Sequence, residues 1–174
     1  KQENYTKIHD YISVLTNNLS TTDPMDTGSS VLSSLLHQKK QQAGRLGISC
    51  DIDTQISHVA IDDFSITTII GNLFDNAITA AQKCSSPWVC ASLSQSGSYL
   101  EFTIDNCHCE KIKEKNGEFA TTKKDKNLLH GIGIKNVRKV VSDLNGQIDI
   151  SYTDNTHISL LLPHNHNIIN CNFQ

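Results

Sequence analysis

An α+β fold, a two-layer sandwich of a mixed sheet covered on one face by helices, is the class that the sequence predicts, with a helical segment leading into it. Three observations predict it. Apolar residues recur at helical spacing in four segments and alternate in five others. The strand-like segments come in runs between helices rather than singly. The links within those runs are of hairpin length, which fits helices packed on one face of the sheet better than strict strand–helix alternation.

The first helix is expected from Lys1 to about Leu19, where Tyr5, Ile8, Ile12, Leu15 and Leu19 form one stripe. Ser20-Thr21-Thr22-Asp23-Pro24 breaks it. A second helix follows from about Ser29 to Arg45, with Val31, Leu32, Leu35 and Leu36 on its apolar face and Gly47 suited to its end. Residues 48–56 read as a strand. Asp62 or Asp63 then caps a third helix that runs to about Lys83, with Phe64, Ile69, Ile70, Leu73, Phe74 and Ala77 turned inward. Trp88 to Leu93 and Tyr99 to Asp105 alternate as strands around the turn Ser96-Gly97-Ser98. Glu110 to Leu129 is polar, lysine-rich and nearly free of apolar residues, and is expected to be a long loop. A fourth helix starts near Gly133, with Ile134, Val137, Val140, Val141 and Leu144 on its core face and Gly146 as its cap. Gln147–Tyr152 and His157–Leu162 form a closing hairpin around Asp154-Asn155.

Bulk properties narrow the function classes. A chain of 174 residues with 37% hydrophobic and 19% charged residues is long enough for one soluble domain with a small appendage. A net charge of −3 gives no electrostatic footprint for nucleic acid. The longest apolar runs, such as Ile158 to Pro163, are far too short to span a membrane, and Lys1–Ser20 lacks a signal-peptide pattern. The sequence begins inside a helical pattern, as a piece cut from a longer protein would. Its six cysteines lie in strand-like and helix-end positions and read as reduced cytosolic thiols. Cys107-His108-Cys109 lacks the ligand spacing of a structural zinc site.

Three segments carry candidate chemistry. In Gly71-Asn72-Leu73-Phe74-Asp75-Asn76-Ala77, Asn72 and Asn76 are four apart and share one helix face. Their carboxamide oxygens suit Mg²⁺, a hard cation that keeps several waters and bridges nucleotide phosphates. In His130-Gly131-Ile132-Gly133-Ile134, the glycines permit close backbone approach and the helix start offers free N–H groups to an anion. Lys123, Lys124 and Lys126 add positive charge just before it. At the end of the Tyr99 strand, Asp105 or Asn106 could accept the exocyclic amine of adenine. Taken singly, these are also what an exposed helix edge, a glycine-rich turn and a strand-ending Asp-Asn pair look like.

In order and spacing, the three segments resemble the GHKL ATPase superfamily, which contains gyrase, MutL-type, heat-shock-chaperone and histidine-kinase ATPases. The resemblance covers roughly residues 48–163 and implies ATP held between helices and sheet beneath a flexible lid. Gly71 to Ala77 looks like the N box, which implies Asn76 as the principal Mg²⁺ ligand and Asn72 as its partner. His130 to Val137 looks like the second glycine box, implying phosphate contacts from His130, Gly131 and Gly133 with the lid lysines Lys124 and Lys126. Glu110 to Leu129 would be the lid. Most members follow the adenine strand with Asp-x-Gly-x-Gly, whereas this chain has Asp105-Asn106-Cys107-His108-Cys109. Counting two places from the last buried strand residue puts Asn106 at the adenine position, with Asp105 as the alternative.

This degenerate box, with Thr27 to Leu36 and His130 to Ile134, is similar to the quorum-sensing, peptide-receptor histidine kinases. In that subfamily a His followed by an acidic residue and Tyr is the phosphoacceptor, and Ile8-His9-Asp10-Tyr11 fits. The resemblance implies that the His9 imidazole attacks the γ-phosphorus while Asp10 orients it or takes its proton. It also implies a homodimer through the N-terminal helices, an aspartate on a response regulator as the next acceptor, a cytoplasmic location, and a membrane attachment lying outside this chain. Residues 1–46 would form a helical phosphoacceptor segment and residues 47–174 the ATP-binding domain. The stretch from His9 to Gly28 is about half of what a hairpin of several turns per helix needs. A nucleotide-binding module without kinase activity fits the same motifs, as does a serine kinase of the anti-sigma type.

Overall fold

The computed structural model describes residues 25–109, 113–115, 118–120 and 132–164. In chain order the elements are helix α1 (Ser30–Arg45), strand β1 (Ser49–Gln55), helix α2 (Asp63–Ala81), strands β2 (Trp88–Ser96) and β3 (Tyr99–Cys107), two three-residue strands β4 (Lys113–Lys115) and β5 (Glu118–Ala120), helix α3 (Ile132–Asp143), and strands β6 (Gln147–Tyr152) and β7 (Asn155–Pro163). Five strands form one sheet in the order β1-β2-β3-β7-β6. β1 and β2 pair in parallel, joined by the crossover through α2, and the other neighbours are antiparallel. β4 and β5 pair with each other, inside the segment expected to be a loop. The mixed sheet with its helix layer is the expected architecture.

Helix α2 anchors the core. Asp62 caps it, its side chain accepting from Ser65 N at 2.9 Å. Ile66, Ile69, Ile70, Leu73, Phe74, Ala77, Ile78 and Ala81 make one continuous stripe, none more than 3% exposed. Each large aliphatic buried in this way contributes about 2 kcal/mol. The stripe shares one core with the alternate residues Val89, Ala91 and Leu93 of β2, Leu100, Phe102 and Ile104 of β3, and Ile158, Leu160 and Leu162 of β7. Phe64, expected to point inward, is 78% exposed, because it sits in the first turn of α2 off the stripe that begins at Ile66. The left-handed residue after α3 is Asn145 (φ 56°), one place before the glycine expected as its cap.

Helix α1 belongs to this core. Leu32, Leu36 and Ala43 are fully buried in the same cluster as the α2 stripe. Residue 46, the expected boundary, thus falls inside one hydrophobic cluster, which also includes Met25 at 4% exposed. The start of α1 is fixed by a polar network. Ser29 Oγ accepts from Leu32 N at 3.2 Å and donates to Asp63 Oδ1 at 3.1 Å, while buried Thr27 bonds Ser33 through its backbone N–H and its hydroxyl. The expected first helix and the tail after His164 lie outside the described residues.

Gly28 is required at this start. Its φ is +69°, and a Cβ there would stand 2.1 Å from the Ser57 carbonyl oxygen. Gly47 has a similar φ of +71° with open space around it. Gly28→Ala is therefore expected to cost about 3 kcal/mol, backbone strain plus a clash that must move the Ser57 segment. Gly47→Ala should cost only about 1 kcal/mol. Urea unfolding midpoints of the two variants check this, and equal losses would contradict the close approach.

Candidate functional site

Helix α2 presents two flanks beside its apolar stripe, and α1 and α3 pack on it. Asn72 and Asn76 lie on the flank that meets the first turn of α3. Asn72 is half-buried, and its Nδ2 donates to the Thr68 carbonyl at 2.7 Å, which leaves Oδ1 as its outward acceptor. A Cβ built on Gly133 would lie 3.0 Å from that Oδ1 and 3.7 Å from Asn76 Nδ2. The structure thus brings Asn72, Asn76 and Gly133 to one spot, where the first N–H groups of α3, which have no intrahelical partner, also emerge. Two carboxamides beside a helix N-terminus can hold a hard cation and an anion together.

The second part of the site is the end of β3. Asn106 is 3% exposed and points to the helix side of the sheet, the side on which α2 packs. Its Nδ2 donates to the Cys107 carbonyl at 2.8 Å, so Oδ1 is the acceptor it can offer a ligand. Thr156 of β7 pairs with Asn106 in register and is also buried, with its hydroxyl 3.2 Å from His108 Nδ1. The His108 ring in turn stands edge-on to Tyr152, with centroids 6.3 Å apart.

Asp105, the alternative adenine reader, faces the other way. Alternation along β3 turns it to the open face of the sheet, where Oδ1 is 2.8 Å from His157 Nδ1 and accepts from Asn155 Nδ2 at 3.1 Å. Its carboxylate is engaged there, so of the two candidates only Asn106 lies on the helix side of the sheet. Thr156 was not singled out by sequence reasoning. The signal was a lone hydroxyl in the inward register of Ile158, Leu160 and Leu162, one residue before the expected strand start. His9, Asp10, Lys124, Lys126, His130 and Gly131 lie outside the described residues.

Near the end of α2, removal from water and the neighbouring Cys109 and Cys107 thiols push Cys84 up to about 12. Burial likewise raises Cys50 and Cys90. The five described cysteines are free thiols, held protonated where they are shifted, and among the described residues no group of three or more His, Cys, Asp or Glu is arranged to hold a metal ion. An open depression of about 580 Å³, lined by Thr54, Ile56, Gln95 and Gly97 among others, lies at the opposite end of the sheet from Asn106.

A helix layer over a mixed sheet, with paired asparagines beside Gly133 in the first turn of α3, is the arrangement of a GHKL-type domain. The profile of the GHKL domain family matches residues 61–163, and the chain belongs to that family of ATP-binding domains. The fold is shared with a mycobacterial sensor histidine kinase, MprB, at a TM-score of 0.59 and 17% identity over 76% of this chain and 95% of that one. The catalytic domain of histidine kinase ThkA gives 0.60 and 18% over 76% and 92%. The Acinetobacter baumannii histidine kinase AdeS gives 0.59 and 14% over 92% and 77%. No curated protein matches the chain by sequence.

Gly133→Ala separates site from scaffold. Alanine favours a helix over glycine by about 1 kcal/mol, so the fold should be as stable or more so. The added methyl would crowd Asn72 Oδ1, and nucleotide affinity should fall about tenfold or more. Thermal unfolding and titration with a fluorescent ATP analogue read the two effects. A stable variant with unchanged affinity would remove Gly133 from the site.

Proposed function

We propose that this chain is the ATP-binding catalytic region of a sensor histidine kinase of the quorum-sensing peptide-receptor type, located on the cytoplasmic side of a membrane-anchored receptor. The observation that carries the reading is the meeting of Asn72, Asn76 and Gly133 at the α2–α3 junction, on the helix side of the sheet where Asn106 and Thr156 are buried. Asn72 Oδ1 and Asn76 would hold Mg²⁺, a hard cation matched to carboxamide oxygens, and the bound ion supplies neutralisation of phosphate charge. Gly133 and the α3 N-terminus would take the phosphates, with His130, Gly131, Lys124 and Lys126 completing that side. Asn106 Oδ1 would accept the adenine amine, with Thr156 beside it.

His9 is the acceptor in this reading. Its imidazole nitrogen forms the new bond to the γ-phosphorus as the bond to the bridging oxygen breaks, and ADP leaves. Asp10 orients the ring or takes its proton. A response-regulator aspartate then receives the phosphoryl group, and the N-terminal helices pair two subunits. A neutral amide at position 106 in place of a carboxylate favours a second reading, a nucleotide-binding module without transfer, because an amide accepts the adenine amine less strongly.

Two measurements test the proposal. Asn76→Ala should lower Mg²⁺-dependent affinity for an ATP analogue at least about tenfold. It should leave the unfolding midpoint nearly unchanged, because Asn76 is exposed. Equal affinity in variant and parent ends the assignment. With labelled ATP, the parent chain should gain acid-labile phosphate and His9→Gln should gain none. Acid-labile label on the variant at the parental rate excludes His9, and nucleotide binding without any label favours the second reading.

A further inference from the structure

One cation stands out in the core. Lys39 of α1 falls in line with Leu32, Leu36 and Ala43, and the residue is only 8% exposed. Its Nζ lies 2.6 Å from Asp75 Oδ1. A buried ammonium is costly unless paired, so a lysine kept in this stripe needs that carboxylate. Asp75 is the residue before Asn76, about 100° around the helix. It therefore lies on the α1 flank of α2, while Asn72 and Asn76 lie on the α3 flank.

A second polar tie joins these helices. Ser29, at the start of α1, donates to Asp63 at the start of α2, at 3.1 Å. Lys39 and Asp75 meet further along both helices, which therefore run parallel with one tie at their start and one past their middle. The buried stripe sets the rotation of α2, but hydrophobic contact is non-directional. A short charged tie on one flank adds a directional restraint to that rotation, and so to the approach of Asn72 and Asn76 to Gly133 on the other.

We propose that Lys39, acting through Asp75, is a positioning residue for the Asn72–Asn76 pair. The proposal rests on the nucleotide-binding reading above for its effect on ligand. Its effect on the geometry of the free protein stands apart from that reading. α1 is thereby the helix through which a displacement at the N-terminal side would reach the site.

The test compares Lys39→Met, Asp75→Asn, the double variant and Lys39→Arg with the parent chain. Three readouts are taken: the urea midpoint, the side-chain amide NMR resonances of Asn72 and Asn76 in the free protein, and affinity for a fluorescent ATP analogue with Mg²⁺. Asp75→Asn should be the least stable, since it strands a buried ammonium. The double variant should regain stability, because methionine fills the lysine's place with an apolar chain. In all three variants that lack the pair, the Asn72 and Asn76 amides should move and affinity should fall about tenfold. Lys39→Arg keeps the charge and should stay near the parent on all three readouts. A double variant with parental stability, parental amide resonances and parental affinity would overturn the proposal, leaving the pair a purely structural contact. A parent chain that binds no nucleotide would overturn the function reading, and the free-protein amides would still decide the positioning claim. Unmoved amides in the double variant would sink it.

Discussion

The buried stripe of α2 is the constraint on which the other parts of the domain depend. From Ile66 to Ala81, one helix face is sealed in the core against β2 and β3 with almost no residual exposure. A helix locked along one face has its remaining residues assigned by rotation alone. Asn72 and Asn76 must then lie at the border facing α3, and Asp63 and Asp75 at the border facing α1. The same helix therefore supplies the core and orients the polar groups, and shifting its register by one residue would turn every one of them by about 100°. Burial of this kind tolerates little repacking, since interiors are as dense as organic crystals.

The sheet divides chemistry between its faces by the same logic, with period two in place of 3.6. Neighbours Asn106 and Asp105 have opposite fates. One amide is buried under the helix layer, and one carboxylate is tied to His157 and Asn155 in the open. Cross-strand register then selects Thr156 as the companion of Asn106. The candidate site thus draws on three elements, each placed by its own apolar periodicity: the α2 border, the α3 start and the helix side of the β3 end.

Much of this was legible in the sequence because it rests on local periodicity and local capping. The spans of α1, α2, β2, β3, β6 and β7, the Asp62 cap and the asparagine pair all follow from patterns a few residues long. What was not legible depends on contacts distant in sequence. Lys39 sits in an apolar stripe, but nothing near it announces the carboxylate on α2 that makes its burial tolerable. The parallel pairing of β1 with β2 and the inclusion of α1 in the core come from tertiary packing, so a boundary drawn at a helix end fell inside one hydrophobic cluster. Phe64 was misplaced because an aromatic in a first turn lies outside the stripe that later residues define. Asp105 and Asn106 were inseparable until the strand's facing was fixed, since a one-residue change of register exchanges them.

Strand β7 is the last described strand in the chain, yet it lies inside the sheet, between β3 and β6. Its pairings join Tyr99 to Pro163 and Cys107 to Asn155 across the whole of α3 and the segment before it. Contacts between such distant residues form late, because the intervening chain must first surrender its freedom. A chain leaving the ribosome can collapse α2 onto the β2–β3 hairpin early. It then carries the inner edge of β3 unpaired, a template for foreign strands, until Pro163 has emerged and the closing hairpin inserts. The order of strands in the sheet thus makes completion of the C-terminal hairpin the step that ends the nascent domain's exposure to aggregation.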